Sequence, residues 1–139
     1  MNNRIVIVLG AASVAVLTAC GGSEPALGTR TAEVSVNGER ATRVPVECSQ
    51  AGWTWLISDF GEETPGFSAS LSTGETVTAH SVEIRDLEGF TGAFWEGTVG
   101  DGKAAIDEKT ITITGTAKGE FADNPATAAE ATFEIETNC

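Results

Sequence analysis

The chain has 139 residues, 20 of them acidic and 8 basic, for a formal net charge of −12 with its one histidine neutral. So acidic a composition lacks the basic footprint by which proteins hold nucleic acid, and it excludes that partner. It also opposes lying flat on anionic lipid, because like charges repel over a Debye length of about 8–10 Å.

The N-terminus carries one positive charge, Arg4, and Ile5 to Leu17 is apolar or small throughout. As a helix that run spans about 20 Å, short of the ~30 Å hydrocarbon core of a bilayer. It therefore reads as a signal peptide over residues 1–19 and not as a membrane span. It ends Leu17-Thr18-Ala19-Cys20-Gly21, where a plain secretory signal would end Ala-x-Ala. The ending resembles a bacterial lipobox. That resemblance implies that the Cys20 thiol, a good nucleophile as thiolate, takes a diacylglyceryl group and becomes the mature N-terminus. Two acyl chains anchor stably, at about 0.8 kcal/mol per buried CH₂. The expected location is the extracytoplasmic face of the cell membrane, in the envelope, with the membrane as partner through Cys20.

The 120 residues that remain suit a single domain. Without Arg4, seven basic side chains face twenty acidic ones and leave −13. Residues 20–30 contain Gly and Pro, show no periodicity and read as a lipidated tether. The domain proper is expected over residues 31–139.

From Thr31 on, apolar residues recur with period two, the mark of strands. Asn37-Gly38 sits between two such runs and signals a type I′ hairpin. Pro45 cannot donate to a ladder, so the second run is an edge there or carries a bulge. Trp53, Trp55 and Ile57 share one parity, as do Phe67, Ala69 and Leu71. Val77 and Ala79 stand on one parity and Val82 and Ile84 on the other, which predicts a bulge near His80 and Ser81. A turn is expected at Gly100-Asp101-Gly102, and one helical turn within residues 120–129. About eight to ten short strands imply an all-β domain, an antiparallel sandwich or partly open barrel. The expected core is Val34, Val36, Val44, Val46, Trp53, Trp55, Ile57, Phe67, Leu71, Val82, Ile84, Trp95, Val99, Ile111, Ile113, Phe133 and Ile135.

With Cys20 committed to lipid, Cys48 and Cys139 remain, an even number in an oxidising compartment, and predict a disulfide. Each also continues the apolar parity of its own run: Val44, Val46, Cys48, and Phe133, Ile135, Thr137, Cys139.

The C-terminal stretch Ile113-Thr114-Gly115-Thr116-Ala117, Gly119, Asn124-Pro125, Phe133-Glu134-Ile135-Glu136 and Cys139 resembles the mycobacterial 19 kDa lipoprotein antigens, the LpqH-like proteins. The lipobox, the Val36-Asn37-Gly38-Glu39 turn and Val46-Glu47-Cys48 agree more loosely. The resemblance implies a lipid-anchored, surface-exposed β-domain with one disulfide, of the kind known as antigens whose acylated N-terminus is sensed by host innate receptors. One departure is the tether, which holds only Ser23 and Thr29 where that family has a long, O-glycosylated Ser/Thr/Ala-rich segment.

Chemistry is sparse. His80 is the one histidine, no Gly-x-Ser-x-Gly elbow presents a serine, and zinc would need more His or free Cys. No nucleophile–base pair can be drawn from the sequence, so no enzyme and no cofactor or metal is expected. Two readings stand. One is a non-catalytic envelope or interaction module with a filled core. The other is a lipid or glycolipid carrier whose cavity is lined by Trp53, Trp55 and Trp95.

Overall fold

A computed structural model describes residues 29–59 and 65–139. They form nine strands: β1 (Thr29–Val36), β2 (Thr42–Ala51), β3 (Thr54–Asp59), β4 (Gly66–Thr73), β5 (Val77–Leu87), β6 (Phe90–Trp95), β7 (Asp101–Asp107), β8 (Thr110–Phe121) and β9 (Ala129–Asn138). The proposed signal peptide and Cys20 lie outside the described residues.

All pairings are antiparallel, and the strands form one sheet in the order β6-β5-β4-β3-β2-β1-β9-β8-β7. β8 is long enough to serve two partners along one edge. Its first part, Thr110–Thr116, pairs with β7, and Lys118–Phe121 pair with β6. The sheet thus closes on itself through β6 and β8, with β7 filling the rest of the seam. The result is a partly closed barrel and not a clean one. β7 packs close to the core there: a Cβ on Gly102 would stand 2.4 Å from the Phe94 ring.

The alternating pattern folds as expected. Val34, Val36, Val44, Val46, Ile57, Phe67, Leu71, Val82, Ile84, Ile111, Ile113, Phe133 and Ile135 are all buried. Ala32, Ala69, Ala79, Leu87, Phe90, Phe94, Ala117 and Ala131 join them. Phe90 stacks on Phe121 with ring centroids 5.1 Å apart, at the β6–β8 closure. A fully buried Phe or Leu contributes about 1.5–3 kcal/mol through apolar area removed from water, so this lining holds the sheet closed.

Asn37 and Gly38 both take positive φ, 53° and 71°, which completes the type I′ turn. Pro45 faces Thr31 of β1, while the β2–β3 ladder begins only at Val46. It therefore sits where β2 has no described partner on its β3 side. The predicted bulge is present: Ser70 pairs with Ser81 and Leu71 with Ala79, leaving His80 as the extra residue. Cys48 and Cys139 are bonded, with Cα atoms 5.9 Å apart.

Five expectations fail. Trp53 is not core but lies in the β2–β3 turn, 70% exposed, because β2 extends to Ala51 and pairs with Thr54. Trp95 is 51% exposed because its neighbour Phe94, opposite Val82, takes the inward position. Trp55 and Val99 are only half-buried. The turn after β6 comes earlier than Gly100-Asp101-Gly102, since Trp95 and Val99 bond to each other through both backbone amides around Glu96–Thr98. Finally, no helical turn forms between β8 and β9. Two successive turns share Asn124, whose Oδ1 also accepts the Thr127 hydroxyl at 3.1 Å. That local bond competes with helix.

Candidate functional site

The bulge in β5 has a chemical consequence. In a regular strand Ala79 and Ser81 would both lie on the face opposite His80. The extra residue breaks that alternation: Ala79 and Val82 are both buried, and His80 and Ser81 between them both lie on the outer face, with the imidazole between β4 and the end of β6. There His80 Nε2 lies 2.9 Å from Ser72 Oγ, and Nδ1 lies 2.5 Å from a carboxylate oxygen of Glu96. The backbone reinforces this arrangement, because the Glu96 amide donates to the His80 carbonyl at 2.9 Å.

The proton assignment follows from the partners. An ionised carboxylate can only accept, so Nδ1 carries the hydrogen and donates to Glu96. In the neutral ring Nε2 is then the acceptor, and the Ser72 hydroxyl must be the donor. Serine, imidazole and carboxylate are connected in the order Oγ–H to Nε2 and Nδ1–H to carboxylate, the order of a serine–histidine–acid relay. All three side chains reach solvent; His80 is 40% exposed and Glu96 53%.

The row beside the relay is set by register. Ser49, Leu56, Ser70, Ser81 and Trp95 stand opposite one another across β2 to β6. Ser70 and Ser81 share a hydrogen bond of 2.8 Å. Leu56, 47% exposed, and Trp95 flank them, so the relay is bordered by two of the three large apolar side chains exposed among the described residues.

Sequence reading singled out His80 but missed Ser72 and Glu96, eight and sixteen residues away. The one usable signal was the parity break at His80. The three tryptophans do not converge. Trp53 and Trp95 point outward at different places and Trp55 packs against the core. Three open surface grooves, of about 440, 340 and 350 Å³, are lined mainly by polar residues such as Ser35, Thr114, Thr137 and Lys103, and none touches a tryptophan. Cys48 and Cys139, bonded to each other, pack against the core as Trp55 does.

Comparison with known proteins settles the lineage. The Mycobacterium 19 kDa lipoprotein antigen family matches residues 25–139. This chain belongs to that family. A protein named as a lipoprotein in Mycobacterium avium subsp. hominissuis is 37% identical over 141 residues, covering all of this chain and 97% of its own length. LppE of Mycobacterium tuberculosis, also named as a lipoprotein, is 33% identical over 141 residues and covers both chains completely. Lipoprotein LpqH of Mycobacterium avium is 35% identical over 96 residues, 68% of this chain and 58% of its own. The expected kinship with the 19 kDa antigens is thus correct, and membership places this chain in a family of lipoprotein antigens.

Proposed function

We propose that the protein is held at the extracytoplasmic face of the cell membrane by a diacylglyceryl thioether on Cys20, and presents its β-domain to the envelope as a display and interaction module. The observation that carries this reading is the Leu17-Thr18-Ala19-Cys20 sequence standing eight residues ahead of Thr29, where β1 begins. Eight residues reach at most about 29 Å, so the domain would stay close to the headgroups. The acidic body, at −13 after cleavage, keeps it off anionic lipid and leaves anchoring to the acyl chains. Among the described residues, the exposed tryptophans and the buried phenylalanines argue for a filled interior and against a carrier cavity lined by Trp53, Trp55 and Trp95.

Cys20→Ala tests this. The wild-type protein should fractionate with membranes, and its N-terminal peptide should carry the mass of a diacylglyceryl cysteine. The variant should be released or left unprocessed without lipid. A variant still carrying acyl mass would overturn the reading.

A further inference from the structure

We propose that Ser72 is an activated serine that reacts with carboxylic esters bearing an apolar group, with His80 as general base and Glu96 as the positioning residue for its ring. This goes beyond the anchoring role and does not depend on it. Two separate observations carry it. The first is the connectivity: the hydrogen bond from Nδ1 to Glu96 leaves Nε2 free to receive a proton, and Nε2 is the atom facing Ser72 Oγ at 2.9 Å. A hydroxyl so placed is activated by its neighbouring base. The second is the border. Leu56 and Trp95 are exposed on the same outer face, 47% and 51%, one row from the relay. They offer apolar contact for an acyl or alkyl group at a polar centre, an arrangement that a purely structural hydrogen-bond clasp does not require.

The chemistry balances. Ser72 Oγ bonds to the ester carbonyl carbon while its proton passes to Nε2. Collapse of the tetrahedral species breaks the carbon–alkoxy bond, and Nε2 returns that proton to the departing alcohol. Water, deprotonated by His80 in the same way, then releases the carboxylic acid and restores the Ser72 hydroxyl.

The fold also sets the pace. Ser72 sits inside β4, which is paired with β3 at Thr54 and with β5 at Thr78. The amide that follows it, on Thr73, donates to the Trp53 carbonyl at 2.8 Å and cannot serve a developing oxyanion as that position does at a nucleophile elbow. Lacking one such donor costs about 10²–10³ in rate. Reaction is therefore expected with activated esters and phosphonates and not with amides.

The test uses the full-length lipoprotein in detergent, treated with a fluorophosphonate probe and, separately, with p-nitrophenyl butyrate. One phosphonyl adduct per chain, mapped to the Ser72 peptide, is expected. Ser72→Ala should abolish it, and Ser81→Ala should leave it in place. His80→Gln should slow labelling at least about tenfold, in line with loss of a general base. Glu96→Gln should slow it too, and Glu96→Asp should recover part of the rate, which a merely structural carboxylate would not do. An intact-mass check for the Cys48–Cys139 bond and circular dichroism show that each variant is folded. No adduct on Ser72 under conditions that label a control serine hydrolase would overturn the proposal. So would labelling of folded His80→Gln at the wild-type rate.

Discussion

Cys48 on β2 and Cys139 at the end of β9 are bonded to each other across the strand that separates them in the sheet, β1. The β1–β2 ladder ends at Thr29–Glu47, one residue short of Cys48, and the β1–β9 ladder at Ala32–Thr137, two short of Cys139, so both cysteines stand beyond the paired part of β1. The bond clamps the two strands that flank β1 at the end where the chain enters the domain. Closing a 91-residue separation is worth about 4–5 kcal/mol on the chain-entropy account. The double variant Cys48→Ser/Cys139→Ser should lose roughly that much, read as a fall in the denaturation midpoint. An unchanged midpoint would mean that the β1–β2 and β1–β9 ladders suffice without it.

The core and the exposed aromatics should separate cleanly in a stability assay. Phe67 is fully buried, and Phe67→Ala should cost about 3–5 kcal/mol. Trp53→Ser and Trp95→Ser should stay within about 0.5 kcal/mol of wild type, because both rings stand mostly in water. Urea unfolding of the three variants checks this. A large loss from either tryptophan would place it in an interface.

The first hairpin is pinned to the C-terminal strand. Asn37 donates its backbone amide to the Thr132 carbonyl at 2.8 Å and accepts the Thr132 amide at its Oδ1 at 3.0 Å. It does so at a positive φ of 53°. Asn37→Ala loses the side-chain acceptor and keeps the strained backbone, at a cost of about 1–2 kcal/mol. Asn37→Gly should recover part of that loss. Equal stability of the two variants would show that backbone strain plays no part.

At the β7–β8 seam, Gly102→Ala would place a methyl group 2.4 Å from the Phe94 ring. Overpacking of this kind typically costs about 1–3 kcal/mol. The double variant Gly102→Ala/Phe94→Leu should restore some of the loss by making room. A double-mutant cycle measures the coupling, and simple additivity would show that β7 does not press on Phe94.

Period-two alternation was enough to identify strands and most inward positions, because a residue's parity within its strand decides its face whatever the partner. Val34, Val36, Ile111 and Ile113 needed nothing more. Asn37-Gly38 was legible because positive φ at consecutive residues is a local property. The His80 bulge was legible because a parity switch within one strand betrays an extra residue. The pairing of Cys48 with Cys139 followed from counting, since two thiols in an oxidising compartment leave one choice.

Parity could not decide between adjacent aromatics. Phe94 and Trp95 must point to opposite faces, and only the pairing of Phe94 with Val82 put the tryptophan outside. Trp53 was misplaced because the length of β2, not the run of apolar letters, determined where the turn fell. Ser72 and Glu96 carried no mark at all: one lies in a serine- and threonine-rich strand, the other follows an aromatic pair. What joins them to His80 is the bulge that turns the ring and the β4–β5–β6 register that brings three strands side by side. The sequence alone therefore determined the strands and the disulfide, each of which depends on neighbours along the chain or on a count of residues. The tertiary structure alone decided the closure of the sheet and the serine–histidine–glutamate relay, because both depend on which strands lie beside one another and in what register.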